Sequence, residues 1–363
     1  MQLPIRSASI GSTAPHACRC RSQVAEVATL GVQLWSESEV VAFKLDELRT
    51  RSGSGGAESS PVTLSAAHWE ADMEEFLATL SPIERSDVKA AGLGEDGTAQ
   101  SWTAIPADTF LLRQKSSWLP HVLNETLIFP HYQPIVDIRA NRTVAFEALM
   151  RANVDGRLVS GGELVDACRA HNALFQFDQK ARTKAIRHSA GKLHDDELLF
   201  VNFTPMVIYD PKICLQSTWE AAQAVGWKME KLVFEVIESE TFPNIDHLRH
   251  ILDTYREHGC GVALDDFGTG HTSLSYIEEL RPNYIKLAKE LLPDRPRRND
   301  LALVRGLVDH AKNRGITTLI EGVETPEQLD AAHELGIDLV QGYLLGRPAA
   351  EPMRVSQCFK KAA

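Results

Sequence analysis

The 363-residue chain is 44% apolar and 24% charged, with a formal net charge of −11, which is typical of a soluble globular protein. The acidic balance argues against general binding to DNA or RNA, because a surface that binds nucleic-acid phosphates usually carries excess Lys and Arg. No apolar run approaches the roughly 18 residues that span a bilayer, and the first residues lack the compact apolar block of a secretion signal. The expected location is therefore the cytoplasm.

The first third of the chain predicts a tail and a small domain. Residues 1–21 are expected to form a disordered tail, and residues 22–115 a regulatory or interaction domain. The sequence leaves the fold of this domain undecided, because VAEVATLGVQLW and EVVAFKLDEL fit either two strands or a strand and a helix. The Gly/Ser-rich stretch 51–61 predicts a loop. A helix should follow in AAHWEADMEEFLATL, and Ser81-Pro82-Ile83-Glu84 offers a capping box for another helix.

From about Trp118 the sequence predicts repeated β/α units. Apolar runs of five to eight residues alternate there with amphipathic helical patterns. The expected strands are LIFPHYQPIV, TVAFEAL, LLFVNF, LVFEVIE, GVALDDF, YIKL, TTLIEGV and LVQGYLL. The expected helices between them include Ile245–His258, Asp300–Asn313 and Pro326–Leu335. Eight strands favour a (β/α)8 barrel over residues 116–355, with an open doubly wound sheet as the alternative, and 356–363 as a C-terminal tail.

Polar residues recur at or near the C-terminal ends of these strands. They are Glu147, Asn202, Glu235, Asp265, Asp266, Lys286, Glu321 and Glu324. All strand ends of a barrel meet at one mouth, so this pattern favours the barrel over the open sheet. Oxygen ligands without His or Cys select hard cations, here Mg²⁺ or Mn²⁺. Two such ions about 4 Å apart can activate a water and stabilise the leaving oxygen of a phosphodiester.

Three of these residues also have a plainer interpretation. Asp265 and Asp266 could form a helix cap followed by a turn, and Lys286 could be a surface lysine after a short edge strand. The first alternative is weakened because three glutamates share the same strand-end placement, and the second because the flanks of the lysine in YIKL are apolar. Lys286 is expected to place a fixed positive charge beside the attacking water or the scissile phosphate.

In chain order these motifs resemble the EAL family of cyclic di-GMP phosphodiesterases, over roughly Leu119 to Pro352. The matching segments are Tyr132-Gln133-Pro134-Ile135-Val136, Glu147-Ala148-Leu149-Met150-Arg151, Asn202, Glu235-Val236-Ile237-Glu238, Asp265-Asp266-Phe267-Gly268-Thr269-Gly270, Lys286, Glu321-Gly322-Val323-Glu324-Thr325 and Gln341-Gly342-Tyr343. The resemblance implies a modified (β/α)8 TIM-type barrel, the EAL fold, and hydrolysis of cyclic di-GMP to linear pGpG with two Mg²⁺ or Mn²⁺ ions. It also suggests a homodimer through the barrel. The N-terminal domain is expected to regulate the enzyme or to bind a protein partner.

The resemblance also implies a role for each matching residue. One metal would be bound by Glu147, Asn202, Glu235 and Asp265, and the second by Asp265, Asp266 and Glu321. The catalytic group would be Lys286, which orients the attacking water, with Glu321 and Glu324. Substrate binding would fall to Gln133, Arg151 and Gln341, with Arg151 on a phosphate and Gln341 sharing a supporting polar shell with Glu324. Glu238 resembles the glutamate that anchors the mobile loop.

Three positions depart from the family pattern. Ala288 stands where an aspartate is usual two residues after the lysine, and Ile237 and Ile320 replace a threonine and an alanine. Losing the carboxylate at position 288 is expected to lower the rate by roughly one to a few orders of magnitude without removing a metal ligand. Two functions remain open: an attenuated phosphodiesterase, which the complete ligand set favours, or a weak or inactive cyclic di-GMP receptor acting through its N-terminal domain. The preserved pocket disfavours a scaffold that binds no nucleotide.

Overall fold

The computed structural model describes residues 29–53, 61–64, 68–94, 96–99, 103–237, 244–268, 274–293 and 301–355. Contacts divide the chain into a barrel unit, which includes Tyr132–Ala148 and the chain from Asp178 onward, and an N-terminal unit, which holds Gln23–His131 together with Leu149–Phe177. Both predicted tails and most of the predicted loop 51–61 lie outside the described residues. Among the described helices, none is both long and apolar enough to cross a membrane.

The described part of the N-terminal unit contains a four-stranded antiparallel sheet of order β2-β1-β3-β4. The elements are β1 (Val32–Trp35), α1 (Glu39–Ser52), β2 (Val62–Leu64), α2 (Trp69–Ala78), α3 (Pro82–Asp87), β3 (Lys89–Gly92), β4 (Ile105–Pro106), α4 (Ala107–Lys115) and α5 (Leu119–Asn124). The strand-then-helix alternative is therefore the correct one for the first two segments. The predicted capping box also forms, because Ser81 and Glu84 each accept the other's backbone N–H.

From β5 onward three consecutive strands are followed by an alternation of helices and strands. The elements are β5 (Ile128–Asp137), β6 (Arg142–Val154), β7 (Arg157–Val159), α6 (Gly161–Ala170), α7 (Leu174–Ser189), β8 (Leu198–Phe203), α8 (Pro211–Cys214), α9 (Gln216–Ala224), β9 (Leu232–Ile237), α10 (Ile245–Glu257), β10 (Gly261–Phe267), α11 (Leu274–Leu280), β11 (Tyr284–Leu287), α12 (Ala302–Lys312), β12 (Thr317–Ile320), α13 (Pro326–Leu335) and β13 (Leu339–Val340). Within the described ranges the sheet order is β5-β13-β12-β11-β10-β9-β8-β6-β7, and pairing of β5 with β6 closes eight of these strands into a barrel. The predicted barrel is confirmed, and the open sheet is excluded.

The first barrel strand departs from the regular β/α alternation. β5 runs antiparallel to β13, with Asp137 opposite Leu339, whereas the neighbouring strands from β8 to β13 pair in parallel. Only residues 138–141 join β5 to β6. A parallel crossover needs about a dozen residues or more, so this connection can only make a hairpin. The barrel is therefore modified at its first strand, a detail that the expectation of a modified barrel did not specify.

The helices of the barrel unit bury one apolar face each. α10 places Leu248, Ile251, Leu252 and Tyr255 inward at helical spacing. α13 has the predicted bounds: Thr325 accepts the N–H of Gln328 at its start, and Gly336 ends it in the left-handed conformation with φ 70°. Helices at such positions cover the outer face of the strands, so the strand residues facing the barrel axis are left to build the interior.

Candidate active site

The interior of the barrel holds an apolar layer to which each strand contributes one residue. Its members, in chain order, are Ile135, Ala145, Phe200, Val233, Ala263, Tyr284, Leu319 and Leu339. Side chains alternate along a strand, so the residue two positions farther along shares the same inward face. On the antiparallel strand β5 the equivalent residue lies two positions earlier. The next layer toward the carboxyl ends of the parallel strands therefore holds Gln133, Glu147, Asn202, Glu235, Asp265, Lys286, Glu321 and Gln341.

This second layer is polar and centres on Lys286, which is fully buried. Four carboxylates of the described chain lie near its Nζ atom: Glu235 Oε2 at 2.6 Å, Glu321 Oε1 at 2.6 Å, Asp265 Oδ1 at 3.0 Å and Glu147 Oε2 at 3.6 Å. Burial alone would lower the pKa of the ammonium, but the carboxylates raise it well above its usual value. Lys286 is thus a permanent charge inside the barrel, and the surface-lysine alternative is wrong.

The carboxylates outnumber the charge that Lys286 supplies. Burial, together with repulsion from the neighbouring carboxylates, raises the pKa of Glu235 well above its usual value and raises that of Asp265, in spite of the lysine. Burial likewise raises the pKa of Glu321 to about 8. Buried charges of one sign are costly without compensation. This group of acids therefore has a strong tendency to take up protons or cations.

Glu147 differs from the other acids because two amides hold it. Asn202 Nδ2 donates to Glu147 Oε1 and Gln341 Nε2 to Glu147 Oε2, both at 2.8 Å, and Gln341 Nε2 also lies 3.1 Å from Gln133 Oε1. Burial alone would raise the pKa of Glu147, but Lys286 and these hydrogen bonds bring it below its usual value. Glu147 is therefore ionised and oriented, and the carboxamide oxygen of Asn202 is left for another partner.

The donor set fits a divalent cation. Oxygen atoms of Asp265, Asp266 and Glu321 all lie within 4.8 Å of one another. The buried Oε1 of Glu235 has no hydrogen-bond partner among the described residues, and its Oε2 contacts Lys286 as an ion pair outside hydrogen-bond geometry. Carboxylates and an amide oxygen are ligands that Mg²⁺ and Mn²⁺ prefer. Asp265 and Asp266 lie inside β10, so the helix-cap alternative does not hold.

The remaining predicted residues lie outside this cluster. The side chain of Glu324 is exposed, and its backbone N–H donates to Gln328. Arg151, on β6, belongs to the N-terminal unit, where its guanidinium donates to the carbonyl of Met150 at 2.8 Å. Glu238 lies outside the described residues, as do residues 269–273. The structure brings together all six predicted metal ligands and Lys286, together with Gln133 and Gln341. The six ligands are Glu147, Asn202, Glu235, Asp265, Asp266 and Glu321.

Ala288 lies two residues beyond Lys286 and is fully buried. Its backbone N–H donates to the carbonyl of Phe267 at 3.2 Å, and it begins the short 3-10 helix Lys289–Leu291. The side chain of Leu291 closely approaches Gly268, where an added Cβ would meet Leu291 Cδ1 at 2.7 Å. Position 288 is therefore linked through one helical turn to the chain at the end of β10.

A glycine contact behind the cluster had not been predicted. An added Cβ on Gly342 would lie 2.1 Å from the carbonyl oxygen of Val323, so only glycine allows this approach of two backbones. The N–H of Val323 donates to the carbonyl of Gln341 at 3.0 Å. The connections that carry Glu321 and Gln341 are thereby fixed to each other. The sequence signal was the glycine directly after Gln341.

Known proteins match the same part of the chain. The family model described as EAL domain matches residues 117–348. The chain is 28% identical over 256 residues to the cyclic di-GMP phosphodiesterase NbdA of Pseudomonas aeruginosa. The matched region covers 69% of this chain and 32% of NbdA. The chain spans 30–40% of the length of four curated relatives that it matches.

Two solved structures are similar to the barrel. One is the cyclic di-GMP-bound form of a standalone versatile EAL protein from Vibrio cholerae, with 28% identity and a TM-score of 0.57 over 62% of this chain and 93% of that chain. The other is the manganese and cyclic di-GMP complex of BlrP1 from Klebsiella pneumoniae, with 28% identity and a TM-score of 0.57 over 63% of this chain and 58% of that chain. The first structure contains cyclic di-GMP, and the second contains cyclic di-GMP and manganese.

Proposed function

The chain belongs to the EAL-domain family, and from that membership we propose that it hydrolyses cyclic di-GMP to linear pGpG with Mg²⁺ or Mn²⁺. The observation that carries the proposal is the excess of buried carboxylate around Lys286. A scaffold without a metal would have no use for so costly an arrangement. The relative NbdA, named a cyclic di-GMP phosphodiesterase, supports the substrate.

The polar layer divides into two sets of ligands. We assign Glu147, Asn202, Glu235 and Asp265 to one ion, and Asp265, Asp266 and Glu321 to the other, with Asp265 shared. The hydrogen bonds to Glu147 support the first set, since they orient both the carboxylate and Asn202. Two divalent cations bound there would supply the positive charge that makes a water more acidic and neutralises the phosphodiester.

Lys286 would act on the attacking water and on the phosphate. Its ammonium is held by contacts of 2.6 Å on two sides, so it can orient a water without first reorganising. Its permanent charge offsets the negative charge that grows on the phosphate oxygens in the transition state. In this proposal Arg151 contacts a substrate phosphate, Gln133 and Gln341 line the substrate side of Glu147, Glu324 supports the polar shell, and Glu238 anchors the mobile loop.

The rest of the chain would regulate this activity. We propose that the region 22–115 is a separate domain that senses a signal or binds a protein partner, that 116–355 acts as the catalytic domain, and that the protein works in the cytoplasm as a homodimer through the barrel. Separate sheets in the two regions support the division.

One observation favours a second function, that of a cyclic di-GMP receptor. Ala288 is buried two residues beyond Lys286, where the family usually has an aspartate. A missing carboxylate beside the lysine would slow hydrolysis while leaving the proposed metal and nucleotide ligands in place. The protein would then bind cyclic di-GMP and transmit the signal through its N-terminal region.

A turnover and binding experiment separates the two functions. Purified protein is incubated with cyclic di-GMP and Mg²⁺ or Mn²⁺, and pGpG is followed by chromatography. Glu147→Ala tests the site, and Glu351→Gln, at an exposed glutamate paired with Lys192, is the matched control. We expect pGpG from the wild type and the control but not from Glu147→Ala. Binding without turnover in either metal would favour the receptor, and absence of binding would refute both functions.

A further inference from the structure

A second buried charged group connects α7 to the end of β8. Asp178 and Arg182 are 4% and 1% exposed, and both Nε and Nη2 of the arginine contact Asp178 Oδ2, at 2.9 and 2.8 Å. The other carboxylate oxygen, Oδ1, accepts the backbone N–H of Thr204 at 2.8 Å. Arg182 also donates to the hydroxyl of Thr218 at the start of α9. One ion pair therefore joins α7, α9 and the chain leaving β8.

Stability alone does not account for such a pair. Removing two charges from water costs about as much as their attraction returns, and apolar replacements of equal volume are often neutral or stabilising. What an ion pair adds is direction, because the forked guanidinium fixes the carboxylate and the carboxylate fixes the backbone N–H. The end of β8 is also packed: the ring centroid of Tyr255 lies 5.1 Å from that of Phe203, and the same ring stacks on Phe234 with centroids 4.0 Å apart.

The backbone that is fixed in this way carries a proposed metal ligand. Thr204 follows Asn202 by two residues, and only Phe203 stands between them. Asn202 lies opposite Glu235 in the register of β8 and β9 and donates to Glu147. A small rotation at the end of β8 would move the carboxamide away from both carboxylates.

We propose that Asp178 and Arg182 are positioning residues, which hold the end of β8 through the Thr204 N–H so that Asn202 is directed at the divalent cation. This inference rests on the proposed function, because it takes Asn202 as a metal ligand. Partners of metal ligands commonly affect metal affinity by roughly 10- to 100-fold when they are removed.

The same strand offers a matched control at its other end. Glu197 directly precedes β8 and is 2% exposed. Its carboxylate accepts two hydrogen bonds from Arg354, from Nε to Oε1 at 2.7 Å and from Nη2 to Oε2 at 2.8 Å. This pair has the same chemistry and a similarly buried carboxylate, but it lies five residues before Asn202 and on the side away from the polar layer. Its loss should affect stability without affecting the metal site.

The test compares three double variants. Asp178→Leu with Arg182→Met removes the pair and the acceptor without leaving a lone charge. Asp178→Asn with Arg182→Gln removes the charges but keeps an acceptor for the Thr204 N–H. Glu197→Leu with Arg354→Met is the control. Mn²⁺ affinity is measured without nucleotide by electron paramagnetic resonance of the free ion, and folding by circular dichroism and thermal unfolding.

We expect the Leu-Met variant at 178 and 182 to bind Mn²⁺ about 10- to 100-fold more weakly than the wild type. The Asn-Gln variant should stay near wild-type affinity, and the control should keep it whatever its unfolding temperature. If the Leu-Met variant does not fold, Asp178→Glu with Arg182→Lys, which displaces the acceptor, should show the lowered affinity instead.

Three results would overturn the proposal: wild-type affinity in the variant that loses or displaces the acceptor, an equal loss of affinity in the control, or an equal loss in the Asn-Gln variant. A wild type that binds no Mn²⁺ would overturn the proposed function as well. Normal binding by the wild type with an unaffected Leu-Met variant would overturn the positioning role alone.

Discussion

Two groups of buried charge in the barrel unit differ in charge balance: one has an excess of negative charge and the other is neutral. Around Lys286, four carboxylates of the described chain share one ammonium. Asp178 and Arg182 form one neutral pair, and the carboxylate also accepts a backbone N–H. A balanced pair is consistent with a structural role, whereas an excess of like charge in a buried site is costly and must be compensated. The contrast teaches that charge balance, more than burial, separates the proposed site from its support.

The largest expected effect comes from reducing the charge excess. Glu235→Gln replaces a proposed metal ligand by a neutral side chain of nearly the same shape. The rate of pGpG formation should therefore fall about a thousandfold or more. The metal-free variant should be at least as stable as the wild type, because a carboxyl group with a strongly raised pKa has been replaced by an amide. Turnover assays and thermal unfolding in EDTA check the two statements. A variant within tenfold of wild-type activity would contradict the site.

Breaking the balanced pair should have the opposite signature. Arg182→Met leaves the Asp178 carboxylate buried without its partner, which should lower the free energy of unfolding by about 3–5 kcal/mol. Urea unfolding of this variant beside Glu235→Gln makes the comparison direct. A loss below about 1 kcal/mol would show that the pair is not the structural support described here.

The charge excess also predicts a pH dependence for the metal-free protein. The pKa of Glu321 is about 8 in the folded protein against an ordinary value of 4.5, so the folded state holds a proton that the unfolded state releases. Stability from this group is present below about pH 4.5 and is lost as the pH rises toward 8. Thermal unfolding in EDTA should show this loss, and Glu321→Gln should make the slope shallower. Equal slopes in both proteins would contradict the assignment.

A smaller effect is expected at Ala288. Ala288→Asp introduces a carboxylate two residues from Lys286. The new side chain stands at the start of a short helical turn and can accept hydrogen bonds from the backbone N–H groups of that turn. Hydrolysis should rise by about tenfold, since residues that support a site commonly contribute that much. Ala288→Asn, which has the same shape without the charge, is the control. An unchanged rate in both variants would mean that position 288 does not limit turnover.

The sequence predicted the eight strands and their polar ends because period-two alternation and strand-end placement are local signals. Strand ends identified six of the eight residues of the polar layer, and the family resemblance alone identified Gln133 and Gln341. The hairpin between β5 and β6 was missed, although its short connection was visible, because apolar patterns do not show strand direction.

Contacts between distant segments were beyond the sequence. Gln341 was assigned to the substrate, but its amide donates to Glu147, 194 residues away. Asp178 and Arg182 have the i, i+4 spacing of an ordinary helical ion pair, and only the fold shows that they are buried against Thr204. The metal, catalytic, substrate and loop roles of the predicted site residues, Glu238 and Arg151 included, stay predictions.

The number of Mn²⁺ ions that the purified protein binds without nucleotide tests most directly whether the excess of buried carboxylates around Lys286 forms a metal site. Isothermal titration of the wild type beside Glu235→Gln measures it. We expect the wild type to bind two ions per chain, and the variant to lose at least one or to bind it markedly more weakly. A wild type that binds no Mn²⁺, or a variant that binds it as the wild type does, would contradict the claim that these carboxylates form a metal site.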